Sequence, residues 1–223
     1  MRILSLGIDF GTSGIRSAVV DEAGVVLSVA RTEYGLQDPD KVDAQLWWKG
    51  VVRCITNQLS ALQELAIDPK SITRIGVDGT SGSMVLTDAN LTRVTRALMY
   101  NSSGFMAEAE AIAGFAPDPH ITRGSGSALG RMMRLQAEDP DGRAEYMLHQ
   151  ADFISAKLMG HGGWSDENNA LKTGYDPETQ SWPAWAEAAG VRTKLLPKIK
   201  PAGSAIASIA LNGPLILGFQ MML

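Results

Sequence analysis

A carboxylate followed within five residues by two glycines and two hydroxyls occurs twice in this chain, as Asp9-Phe10-Gly11-Thr12-Ser13-Gly14 and as Asp78-Gly79-Thr80-Ser81-Gly82. Those residue types suit phosphate. Glycine lets the chain reverse at positive φ and lets backbone approach a ligand closely. Successive backbone N–H groups in such a turn form an anion nest. Thr12 and Ser13 add hydroxyl donors, and Asp9 is suited to hold Mg²⁺ through its waters. An ordinary hairpin turn beside a surface aspartate uses the same letters, so one turn decides little. Two of them, each delivered by a strand, suggest two walls of one polar cleft.

The elements that must position these turns are legible from the apolar pattern. Ile3 to Asp9 is a short apolar run, which predicts a buried strand. Ile15–Val20 and Val25–Ala30 follow as strands, separated by the turn residues Asp21-Glu22-Ala23-Gly24, so the chain should begin as an antiparallel meander. Asp43 can cap a helix running to about Ala66, with Trp47, Val51, Ile55, Leu59 and Leu62 on one face. Asp68-Pro69 is expected to close it. Ile72–Val77 is a further strand, expected to join the first in parallel and to carry Asp78 at its end. The letters D-F-G also occur in protein kinases, but no glycine-rich loop, V-A-I-K strand or H-R-D loop precedes Asp9.

Further along, Met84–Leu86 and Arg96–Tyr100 read as strands. Phe105–Phe115 and the segment carrying Leu129, Met132, Met133 and Leu135 read as helices. Gly124-Ser125-Gly126-Ser127-Ala128-Leu129-Gly130 looks like a dinucleotide fingerprint, but its last glycine is one residue late and no strand leads into it. His149 and Asp152 open a helix stopped by Gly160, and at that spacing they read as a capping pair. Ser165–Ala170 reads as a polar turn, Trp182, Pro183 and Trp185 as packing anchors, and Lys194–Lys200 as a connector. The tail from Ala205 to Leu223 is apolar without a sustained period, and is expected to be poorly packed.

Composition bounds the function. The 223 residues are 45% hydrophobic and 20% charged, as in ordinary globular proteins. A net charge of −4 gives no electrostatic footprint for nucleic acid. A single cysteine, Cys54, excludes an internal disulfide and a C-x-x-C site, and three scattered histidines argue against a histidine-based metal site. No apolar run approaches the ~20 residues of a membrane span, and no signal peptide is expected. The expected location is cytoplasmic, and the oligomeric state is open.

The two Gly-Thr-Ser turns, in their order and spacing, resemble the FGGY carbohydrate kinases, members of the actin-like ATPase superfamily. Tyr100-Asn101-Ser102, His149-Gln150-Ala151-Asp152-Phe153 and the run from Ser165 to Pro177 look like its D-ribulose kinase branch, often labelled xylulose kinase. The similarity covers about residues 3–204. It implies an α/β, ribonuclease H-like domain with a mixed sheet flanked by helices, and ATP-dependent phosphorylation of a ketopentose of the D-ribulose or D-xylulose type. By resemblance, ATP and Mg²⁺ are the cofactors, Asp9 with Gly11, Thr12 and Ser13 holds metal and phosphate, and Asp78, Gly79 and Ser81 lie at the sugar. An actin-type protein would share the phosphate turn, but the Ser165–Pro177 run argues for the carbohydrate branch.

The chain also departs from the family pattern. FGGY kinases continue from the region of Pro201-Ala202-Gly203 into a glycine-rich turn with a catalytic Asp, whereas Ile209 to Leu223 contains no Asp or Glu. The expected division is an amino-terminal kinase domain at 1–204 and a divergent tail at 205–223, with the second, ATP-binding domain absent. A chain of that kind is expected to be inactive alone. The alternative is a non-catalytic fragment that binds sugar or phosphate weakly or pairs with a separate chain.

Overall fold

The computed structural model describes residues 3–11, 14–33, 42–209 and 220–222. Thr12, Ser13 and most of the loop expected after Tyr34 lie outside them. The first three strands are β1 (Leu4–Phe10), β2 (Gly14–Asp21) and β3 (Val26–Glu33). They form the expected antiparallel meander, with Asp9 opposite Arg16 in the β1–β2 register. Asp21 closes the β2–β3 turn by accepting the Ala23 and Val25 amides on Oδ1.

Helix α1 (Ala44–Glu64) begins where Asp43 Oδ1 accepts the Gln45 amide. Trp47, Val51 and Ile55 are buried on its inner face, as the helical spacing predicts. Trp47 meets Phe10 edge-on at 6.1 Å and Phe153 at 6.0 Å, which ties helix, sheet and a second helix into one core. The helix does not run to Asp68-Pro69. It ends at Glu64, and the chain turns away through Ala66 at φ 54°, so a left-handed backbone residue stops it before the proline does.

Strand β4 (Ile72–Gly79) then pairs with β1 in parallel, Asp78 beside Asp9. Strands β5 (Met84–Thr87), β6 (Arg93–Leu98) and β7 (Tyr146–His149) make a separate three-stranded sheet, β6-β5-β7. Helices α2 (Met106–Ala113) and α3 (Ala128–Ala137) pack near it around a second cluster that includes Phe105, Leu129 and Met132. Ser127, within the glycine-rich stretch, caps α3 by accepting the Gly130 amide. Helix α4 (Gln150–Met159) stops at Gly160 in the left-handed region. Asp152 accepts the His149 amide, the helix-start role expected of that pair.

The chain departs from its expected course in three later places. The polar stretch after Ser165 is strand β8 (Trp164–Asp166) followed by helix α5 (Glu167–Leu171), where a turn was expected. The basic connector contains strand β9 (Lys198–Lys200), paired in parallel with β8. Strand β10 (Ala205–Ser208) and strand β11 (Gln220–Met222) join the large sheet, whose order is β10-β11-β4-β1-β2-β3. Ile206 packs against the main core and Ile209 is buried, so the expectation of a poorly packed tail does not hold at these two residues, while Ala205 and Ser208 are exposed.

Candidate active site

Alternation along β1 and β4 sorts their side chains into two sets. Leu4, Leu6, Ile8 and Phe10 are buried against the core, as are Ile72, Ile75 and Val77. Gly7 and Asp9 of β1 and Gly76 and Asp78 of β4 alternate with them and face the other side. Parallel register sets Gly7 beside Gly76 and Asp9 beside Asp78. The result is a floor of nearly bare backbone ending in two adjacent carboxylates. A methyl group built on Gly76 would meet nothing within 4 Å, so the glycine leaves room above the sheet.

This floor opens into a cleft of about 740 Å³, lined among others by Asp9, Arg16, Asp78, Gly79, Ser81 and Asn168. Asp9 and Asp78 therefore line one cleft, as expected of the two turns. Arg16 Nη1 lies 3.5 Å from Asp9 Oδ2, with both side chains more than half exposed. Such a pair is weak, about 0–1 kcal/mol, and readily gives way to another partner. Asp78 Oδ1 accepts the Gly79 amide at 2.8 Å. Gly79 is itself pressed on α4: a Cβ there would sit 3.2 Å from the Ala151 nitrogen.

The first turn is closed on itself. The Gly11 amide donates to the Gly14 carbonyl at 3.0 Å, so Gly11 shapes the turn and is not an open donor toward a ligand. Thr12 and Ser13 fall outside the described residues. The second turn leaves the sheet altogether and is held by distant buried groups. Thr80 N–H donates to Gln150 Oε1, Gly82 N–H to His149 Nδ1, and Arg131 donates to the Gly82 carbonyl. Gly82 adopts φ +87°, a conformation that costs other residues strain. Arg131 also donates to the carbonyls of Tyr100, Ser102 and Gly126, so one guanidinium satisfies four backbone oxygens. Burial pulls its pKa down to about 10.

The opposite wall is α5. Asp166 caps it, taking the Asn168 and Asn169 amides on Oδ1 and the Asn169 side-chain amide on Oδ2. Behind this wall sit two buried titratable groups. Burial, with the Arg131 and Lys172 charges, lowers the His149 pKa to about 4. Burial raises that of Asp152 to about 7, with the Asp166 charge adding to the rise. Arg16, Asp166, Asn168 and Asn169 were not among the sequence-predicted site residues. Only the Ser165–Pro177 run hinted at the last three, and only as a likeness.

Among the described residues no cluster of three or more His, Cys, Asp or Glu is arranged to hold a metal. Asp9 nonetheless fits Mg²⁺, which is held by one or two carboxylates plus waters and phosphate oxygens more often than by an all-protein cage. No helix among the described residues is long and apolar enough to cross a membrane.

Comparison with known proteins converges on one family. Residues 4–221 match the model of the FGGY family of carbohydrate kinases, N-terminal domain. A xylulose kinase of Escherichia coli is 21% identical over 237 residues, covering 93% of this chain and 47% of that protein. A D-ribulokinase of Saccharomyces cerevisiae is 26% identical over 93 residues, 40% of this chain and 13% of that one. The crystal structure of xylulose kinase from Rhodospirillum rubrum superposes with a TM-score of 0.83 at 17% identity, covering 98% of this chain and 48% of that one. The chain thus spans about half the length of the xylulose kinases it matches.

Proposed function

The chain belongs to the FGGY family of carbohydrate kinases, and from that premise we propose that its cleft binds a ketopentose, of the D-ribulose or D-xylulose type, for phosphorylation by ATP. The observation that carries this reading is the in-register pair Asp9 and Asp78 above a glycine floor. In this reading Asp78, Gly79 and Ser81 meet the sugar, and Asn168 and Asn169 add polar partners from the facing wall. A polyol needs several fixed hydrogen-bonding groups, and sites of that kind discriminate strongly against analogues that leave them unpaired. Asp9 would hold Mg²⁺, with Thr12 and Ser13 at the transferring phosphate and Gly11 shaping the turn that carries them. When bound, Mg²⁺–ATP supplies the phosphoryl group and neutralises its charge, which is most of what such a transfer requires. The dependence on ATP suits a cytoplasmic enzyme.

In this reading none of the carboxylates lining the cleft among the described residues, Asp9, Asp78 and Asp166, is left to act as base for the attacking hydroxyl. Asp166 is spent on its helix cap, and Asp9 and Asp78 are assigned to metal and sugar. Residues 1–223 alone are therefore expected to bind sugar but to turn it over slowly, since a positioned base contributes roughly 10²–10⁴-fold. The test is purified residues 1–223 with ATP, Mg²⁺ and either sugar, following sugar phosphate. Binding with turnover far below ordinary enzyme rates is expected. Fast turnover abolished by Asp9→Ala would overturn this assignment of the carboxylates, and failure of both sugars to bind would overturn the substrate class.

A further inference from the structure

Ser81 enters the cleft on a turn whose two flanking amides are both caught by consecutive side chains. Thr80 N–H donates to Gln150 Oε1 at 3.2 Å, and Gly82 N–H donates to His149 Nδ1 at 3.3 Å. The backbone continues the grip, since the Gln150 amide donates to the Ser83 carbonyl at 2.9 Å. On its other side the His149 ring meets Thr173 Oγ1 through Nε2 at 3.1 Å. Thr173 lies two residues past the end of α5, and its amide donates to the Ala170 carbonyl. His149, Gln150 and Thr173 are all buried.

We infer that His149 is a positioning residue that joins the Ser81 turn to the Asn168–Asn169 wall, so that two loops of the cleft move as one body. This deepens the proposed sugar site and rests on it for its functional meaning. The proton placement follows from the geometry. Gly82 brings an N–H to Nδ1, so Nδ1 must present its lone pair. The ring proton then sits on Nε2 and donates to the Thr173 hydroxyl. A cationic ring would set one N–H against another, and burial together with the Arg131 and Lys172 charges already favours the neutral form. A histidine serving only to fill space would not need both nitrogens engaged by separate loops.

The test uses residues 1–223 in three forms: wild type, Thr173→Val and Thr173→Ser. Nitrogen NMR of the wild type should show an unprotonated Nδ1 and a protonated Nε2 on His149. In Thr173→Val the Gly82 amide should exchange with solvent about tenfold faster, the weight of roughly one net hydrogen bond, although Thr173 does not touch Gly82. Thr173→Ser, which keeps the hydroxyl, should restore the slow exchange. D-ribulose affinity should fall about tenfold in Thr173→Val and recover in Thr173→Ser by the same reasoning. A protonated Nδ1, or Gly82 exchange unchanged by Thr173→Val, would overturn the coupling whether or not sugar binds. Sugar affinity equal in all three forms would overturn the positioning role. Absence of sugar binding in the wild type would instead contradict the proposed function, with the exchange data still deciding the coupling.

Discussion

The two Gly-Thr-Ser turns are near copies in sequence and opposites in support. The turn after β1 joins neighbouring antiparallel strands and closes through its own Gly11–Gly14 hydrogen bond. Its carboxylate, Asp9, stands exposed beside Arg16. The turn after β4 leaves one sheet for another, and buried side chains from as far as 70 residues away hold it. A hairpin turn carries its own geometry in a few residues, whereas a crossover turn borrows its geometry from the core. The same letters therefore imply different sensitivities to mutation.

The largest expected difference comes from Arg131. Arg131→Met leaves the carbonyls of Gly82, Tyr100, Ser102 and Gly126 without that donor. The Gly82 and Ser102 bonds are buried and the other two part-buried, so with a cost of about 1–3 kcal/mol for each buried group left unsatisfied, urea denaturation should show a loss of about 2 kcal/mol or more. A loss below about 1 kcal/mol would mean that water replaces the guanidinium and that the second turn is as self-sufficient as the first.

A second difference lies in the response to pH, which enters through the support of the second turn. His149 is held neutral, with its pKa lowered from 6.5 to about 4. Between those values the unfolded chain binds more protons, so this group makes stability rise with pH. Asp152 is held protonated, with its pKa raised from 3.8 to about 7. There the folded chain binds more protons, so this group makes stability fall as pH rises through that window. From about pH 4 to 6.5 the two slopes oppose and largely cancel. Asp152→Asn should expose the rising slope, and His149→Gln the falling one. Urea midpoints measured across this range check the signs, and parallel slopes in the two variants would contradict the assignment.

The smallest stability effect belongs to the first turn. Asp9→Asn removes an exposed ion pair and should change stability by less than about 1 kcal/mol in thermal denaturation. Its effect should fall on ligands instead, as lost enhancement of nucleotide binding by Mg²⁺. A large loss of stability would show that the first turn, too, depends on its carboxylate for folding.

The sheet side of the cleft was legible in the sequence because strands and α1 announce themselves by apolar period. Trp47, Val51 and Ile55 recur at helical spacing, and Asp9 and Asp78 each end an apolar run. The facing wall was not legible in the same way. Helix α5 is five residues long and mostly polar, and it forms around the Asp166 cap without an apolar stripe to reveal it. Arg16 reaches the site by cross-strand register, which no local pattern states. The His149–Gly82 contact spans 67 residues. The capping role of Asp152 could be read locally, but the two long-range engagements of the His149 ring could not. The tail misled for a related reason: β10 and β11 owe their strand form to pairing with each other and with β4.

The central claim is that the glycine-floored cleft over β1 and β4 is the sugar site. The most direct measurement is an amide NMR titration of residues 1–223 with D-ribulose, run beside Gly76→Val. A valine at position 76 has open space around its Cβ and suits a strand, so the variant should fold normally while filling the floor. The account predicts shifts concentrated at Asp9, Asp78–Ser81 and Asp166–Asn169 in the wild type, with binding lost in Gly76→Val. Equal affinity in both proteins, or shifts confined to residues away from this cleft, would contradict it.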